Sequence, residues 1–188
     1  MSIARYLYPK IGPQQFGVML WVACIGTAIA GSYGIVHDQI TFSLSEEYFT
    51  RFKFLQFAYA DFGWPQRIFV AEIGFLATWW VGFLSAWFLA RIAVPAWPVR
   101  IAIRQCIRGF GIIVGCAILA GMIGFALGRL HSDDYSNWAS MTQDFGVSDI
   151  RAFVLVGYIH NASYLGGLIG LVAAMIRLRN STRQSRPD

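Results

Sequence analysis

Four stretches of this chain are apolar and nearly free of charge: residues 16–36, 68–90, 109–128 and 152–176. At a rise of ~1.5 Å per residue, each is long enough to cross the hydrocarbon core of a bilayer. A backbone in lipid has to satisfy its own hydrogen bonds, so the pattern predicts four transmembrane α-helices rather than strands. The longest polar interruption is residues 37–67, between the first two spans.

Small residues recur along three of the spans at intervals of four. Gly26, Ala30 and Gly34 mark the first, with Ala23, Thr27 and Gly31 beside them. Gly111, Gly115, Ala120, Gly124 and Gly128 mark the third, and Ala162, Gly166, Gly170 and Ala174 the fourth. Such spacing lets helix backbones approach closely, within one bundle or across a dimer. The lead of residues 1–15, the apolar run and Ala28-Ile29-Ala30 also meet the formal criteria for a cleaved signal peptide. Against cleavage, the apolar run continues through Tyr33, Ile35 and Val36, which favours retention as a span.

Within the polar segment, Ser43 followed by Glu46 reads as a capping box for a short helix over residues 45–60. On its wheel Tyr48, Phe52, Leu55 and Tyr59 share a face, and Glu47 pairs with Arg51 four residues on. The dense aromatic face beside Lys53 predicts a helix lying in the membrane interface or capping the bundle. Gly63-Trp64-Pro65 turns the chain back, and Pro95-Ala-Trp-Pro98 ends the second span. Trp138 marks the second outer loop, and residues 177–188 form a basic tail.

Composition narrows the class. Of 188 residues, 56% are hydrophobic, 16% aromatic and only 13% charged, too few charges for a soluble domain. The net charge of +5 does not point to nucleic acid, because the basic residues are segregated by segment. Ten of the fifteen lie on one side: Arg5, Lys10, Arg91, Arg100, Arg104, Arg108, Arg177, Arg179, Arg183 and Arg186. The positive-inside rule then places both termini in the cytoplasm of a bacterial inner-membrane protein. Arg100, Arg104 and Arg108 make a stripe suited to anchoring on anionic inner-leaflet lipid. Cys24, Cys106 and Cys116 have no spacing for a disulfide framework or a metal cage.

The candidate chemistry lies in the outer half. An ionisable group at membrane depth is costly and therefore a functional candidate. Glu72 and His160 qualify, roughly 7 Å and 13 Å below the outer boundary, with His37, Asp38 and His131 forming a rim above. A Glu with two or three histidines, from Glu72, His37, His131 and His160, can ligate Zn, Cu or Fe or relay protons. The helical wheel opposes the full set, because Glu72 and His160 each lie about 160° from the small-residue stripes. Pairing of Glu72 with Arg51, Lys53 or Arg67 is the alternative. Bis-histidine haem ligation meets unequal depths, with His37 and His131 at helix ends and His160 two turns inside. No nucleotide loop, HExxH motif or nucleophile–base pair is present, and no cofactor is predicted.

A weak repeat relates the halves: Gly34-Ile-Val-His37 matches Gly128-Arg-Leu-His131, and Arg67-Ile-Phe-Val70 matches Arg151-Ala-Phe-Val154. A parallel duplication of one helical hairpin accounts for both matches.

The runs His37-Asp-Gln-Ile-Thr-Phe, Ser45-Glu-Glu-Tyr-Phe and Phe52-Lys-Phe-Leu-Gln-Phe, with His160-Asn-Ala-Ser-Tyr-Leu-Gly-Gly, resemble the signature of small bacterial four-helix membrane proteins. The resemblance covers the outer segment and the fourth span and implies no activity. The expectation is therefore an all-α integral-membrane four-helix bundle with a short interfacial helix in the first outer loop. Its role is binding or assembly through an aromatic-acidic periplasmic cap, with the bilayer and a second copy or another membrane protein as partners. A membrane oxidoreductase or an ion- or proton-handling protein with an outer-half Glu/His site is the alternative.

Overall fold

The computed structural model of the chain describes residues 11–130 and 135–184. All regular structure among them is helical. Four helices are long and apolar enough to cross a membrane: α1 (Pro13–Leu44), α2 (Gln66–Ala93), α3 (Val99–Leu130) and α4 (Ile150–Gln184). Each predicted span falls inside one of them.

The main departure is at the end of α1, which continues through eight residues that the polarity pattern assigned to the outer segment. The helix survives there because its polar groups turn inward or find local partners. Asp38 and Thr41 are buried, and the Thr41 hydroxyl donates to the His37 carbonyl at 3.0 Å. Ser45 then leaves the helical conformation, and its hydroxyl accepts the Tyr48 amide at 3.3 Å. The cap is thus Ser45 rather than the predicted Ser43–Glu46 box, and the Ser43 hydroxyl accepts from Arg67 instead.

The connector is not the regular helix expected over residues 45–60. It comprises a π-helical turn, Tyr48–Lys53, a single α turn, Phe54–Gln56, and a 3-10 turn, Ala58–Ala60. Its predicted common face is accordingly broken: Tyr48 is buried and Phe52 half-buried, whereas Leu55 and Tyr59 are exposed. Gly63, at φ +75°, makes the turn that a side chain would strain, and Pro65 then starts α2.

The small-residue stripes act within each hairpin. A Cβ on Gly34 would collide with the Gly74 carbonyl, and one on Gly74 with the Gly34 carbonyl, so α1 and α2 cross backbone to backbone. Thr78 locks this contact by donating to the Ala30 carbonyl at 2.8 Å. Gly124 meets the Tyr158 carbonyl, and Gly166 the Cys116 carbonyl, in the same way between α3 and α4. Gly111 and Gly115 are different, since a Cβ there would meet nothing within 4 Å.

Each hairpin packs closely within itself and more loosely against the other, and apolar clusters join the two at either end. One end is sealed by an apolar cluster that includes Met19, Leu89, Ala102, Phe110 and Leu178. The other is sealed by Phe42, Tyr48, Phe49, Val70, Phe153 and Val156. A cavity of about 730 Å³ remains between the hairpins.

Candidate functional site

His37 and Asp38 stand two turns before the end of α1, and His160 stands ten residues into α4. Because α1 overruns its predicted end, His37 and His160 reach the same depth. Their rings meet edge-on with centroids 4.7 Å apart. The depth mismatch expected from sequence is therefore removed, yet 4.7 Å leaves no room for a macrocycle between the two imidazoles. One ligand atom from each of His37, Asp38 and His160 lies within 4.8 Å of the other two.

The surrounding groups orient these rings. The Tyr33 hydroxyl lies 3.5 Å from His37 Nδ1, and the Tyr164 hydroxyl 3.2 Å from His160 Nδ1. Both contacts span four residues of one helix, so each tyrosine stands a turn from its histidine. With Nδ1 engaged, the Nε2 atoms are directed inward. His160 Nε2 is 3.2 Å from Thr41 Oγ1 and 3.9 Å from Asp38 Oδ1. His37 Nε2 is buried without a hydrogen-bond partner among the described residues. A buried nitrogen in that condition costs free energy unless something outside the chain satisfies it.

The π-helical turn lids this cluster. Tyr48 stacks on the His160 ring at 5.0 Å, and Phe49 meets it at 6.2 Å. Burial raises the Tyr48 phenol, with Tyr164 and Asp38 adding to the effect, so it stays protonated. In an α-helix Lys53 would fall about 140° around the axis from Tyr48. The i→i+5 bonding of the turn, seen in the Phe54 amide to Phe49 carbonyl bond, brings it to roughly 50°. Lys53 is consequently only 6% exposed. Its ammonium lies over the rings of Phe52 and Phe57, at 5.6 and 5.8 Å. Burial lowers the lysine from its ordinary value, with the Asp38 carboxylate pulling the other way.

The lid is tied down from α4. The Glu47 carboxylate accepts the Ser148 amide at 3.0 Å and the Asp149 amide at 2.7 Å, just ahead of the α4 N-terminus. Its expected partner Arg51 is replaced by backbone donors, where a carboxylate is also favoured by the helix dipole.

No family model, curated protein or solved structure matches this chain.

Of the sequence candidates, His37, Asp38 and His160 come together. Glu72 does not: it is half-buried on α2, and among the described residues it has no hydrogen-bond or ion-pair partner. Its proposed partner Arg67 instead binds the Gln39 carbonyl and the Ser43 hydroxyl. His131 lies outside the described residues. Arg100, Arg104 and Arg108 are exposed at the opposite end of the bundle. Tyr33, Thr41, Tyr48, Lys53 and Tyr164 join the site without being marked by the polarity pattern. Two of these had a readable signal, because Tyr33–His37 and His160–Tyr164 are both i,i+4 pairs.

Two imidazoles and one carboxylate are a donor set for a transition metal, with positions left open for a further ligand. Around a tetrahedral ion with bonds of about 2.0–2.1 Å, donors lie roughly 3.4 Å apart. The 3.9 Å between His160 Nε2 and Asp38 Oδ1, within a set spanning up to 4.8 Å, is wider than that, so ligation would draw the three side chains together. The tyrosines supply the outer hydrogen bonds that ligating histidines require.

Proposed function

We propose that this is a four-span protein of a bacterial inner membrane, with cytoplasmic termini, that holds one transition-metal ion between its hairpins through His37, Asp38 and His160. Membrane residence is supported by the four long helices and by the apolar side chains they expose, among them Trp21, Leu119, Met122 and Leu168. The metal reading is carried by one observation, the convergence of a donor atom from each of His37, Asp38 and His160 within 4.8 Å, beside a His37 Nε2 that has no hydrogen-bond partner among the described residues. An imidazole-rich site with one carboxylate favours Zn, Fe, Ni or Cu over Mg or Ca. This reading develops the oxidoreductase or ion-handling alternative, with Asp38 in the place given to Glu72.

The test is metal analysis of detergent-purified protein after incubation with Zn²⁺ or Fe²⁺ and gel filtration. The expected content is one ion per chain, lost in His37→Ala and Asp38→Asn. It is also lost in His160→Phe, which keeps the ring stacked on Tyr48. Stoichiometry unchanged in all three variants would refute the site.

A second reading rests on a different surface. Leu55, Tyr59, Phe62 and Trp64 are exposed along the connector. Such a ridge suits the membrane interface or a docking membrane protein, in line with a binding or assembly role. Replacing Leu55, Tyr59 and Phe62 with serine should then dissociate complexes captured by cross-linking in the membrane, and an unaltered cross-linking pattern would count against that role.

A further inference from the structure

The cavity beneath the metal site has two unlike ends. At the lid end it is bounded by His37, Asp38, Lys53 and Gln56; farther down it is bounded by Trp80, Phe110, Ile113, Leu168 and Leu171. Its volume of about 730 Å³ lies in the range of roughly 300–1,000 Å³ typical of small-molecule sites. The apolar part continues between the hairpins as far as Phe110, a member of the cluster that seals the far end. The polar part ends on a cation, Lys53, which is more than nine-tenths buried and lines the cavity. No hydrogen bond from its ammonium and no carboxylate within 4.0 Å is found among the described residues, only the two phenyl faces.

We propose that this cavity binds a single-chain lipid with an anionic headgroup, its head between Lys53 and the histidine–aspartate cluster and its chain along the Trp80–Leu171 wall. The inference rests on the metal reading and deepens it by naming the ligand class. Charge balance is the reason for an anion. A divalent ion added to the site outweighs the single carboxylate of Asp38, and Lys53 adds a further positive charge, so the loaded site is cationic at a depth where unbalanced charge is costly. An anionic head meets the open metal positions and the lysine together. A neutral head leaves the ammonium unpaired.

Trp79 and Trp80 line the cavity and report on its occupant. The experiment titrates the detergent-solubilised full chain with a dibrominated fatty acid and with the fatty alcohol of the same chain, following bromine quenching of tryptophan fluorescence, with and without Zn²⁺. The acid should quench at a mole fraction about ten- to hundredfold lower than the alcohol, the worth of a charge-assisted hydrogen bond. Without Zn²⁺, Lys53→Met should erase that preference, while the variant still binds Zn²⁺ when it is supplied, and the double variant Trp79→Phe/Trp80→Phe should lose the selective quenching. Equal quenching by acid and alcohol in the wild type overturns the proposal, as does a preference that survives Lys53→Met in the absence of Zn²⁺. The two readings fail separately. A chain that binds Zn²⁺ without discriminating acid from alcohol loses only the lipid inference. A chain that prefers the acid through Lys53 yet retains no metal keeps the anion site and loses the metal centre.

Discussion

Tyr164→Phe removes one oxygen from the site and should weaken metal binding without unfolding the protein. When Nε2 of His160 faces an ion, the ring proton sits on Nδ1 and is donated to the Tyr164 oxygen, 3.2 Å away. In the variant that proton has no acceptor, and His160 is only 1% exposed, so water does not replace it readily. The imidazole then favours the other tautomer, with Nε2–H donated to Thr41 Oγ1 at 3.2 Å, because the Thr41 hydroxyl proton is already committed to the His37 carbonyl. That tautomer blocks the ligating atom. Loss of an outer-sphere partner of a metal-bound histidine costs about 10–100-fold in affinity, or about 1.4–2.7 kcal/mol. The 3.2 Å contact places Tyr164→Phe near the upper figure, and the 3.5 Å Tyr33–His37 contact places Tyr33→Phe near the lower. Competition for Zn²⁺ against a chromophoric chelator in detergent measures both, with metal-free thermal unfolding of the same samples as the control for folding. A Tyr164→Phe protein that binds as tightly as the wild type would refute the assigned orientation of His160.

Gly34→Val forces a branched side chain against the Gly74 backbone and should cost about 1–3 kcal/mol of stability in detergent unfolding. Gly111→Ala, whose Cβ meets nothing, should cost none, and equal losses would show that the α1–α2 crossing is not as close as described. Glu47→Ala strips the acceptor from the Ser148 and Asp149 amides and should lower the melting free energy by about 1–2 kcal/mol; no change would mean water serves those amides equally well. Lys53 lies below its ordinary value of 10.5, so the unfolded chain holds that proton more firmly than the fold does. Stability should therefore rise with pH through the window below 10.5 in the wild type, but not in Lys53→Met, which should be at least as stable near neutrality. Parallel pH profiles for the two proteins would remove the buried ammonium from the account.

The four long helices were legible because their length and freedom from charge leave few alternatives. The glycine stripes were legible in the same way, since spacing alone puts Gly26 and Gly34 on one face. The end of α1 was not, because polarity marks a residue's need for partners and not its distance from water: Asp38 and Thr41 meet that need inside the fold. The same difficulty made Glu72 the favoured acid. Which face of α2 it occupies is set by the Gly34–Gly74 crossing, and that crossing turns it away from the histidines. His160 and its glycine stripe lie on different faces of α4: the stripe faces α3 while His160 faces Tyr48, Phe49 and α1. Lys53 was hidden by assuming 3.6 residues per turn in a segment that winds more widely.

That wider winding makes the connector a counted spacer. Removing a single residue from Tyr48–Lys53 would let the backbone relax to the tighter coil, swing the ammonium outward and leave the phenyl rings clasping nothing. A stretch that looks like an ordinary loop, where length changes are usually harmless, should thus tolerate many single substitutions better than one in-frame codon deletion.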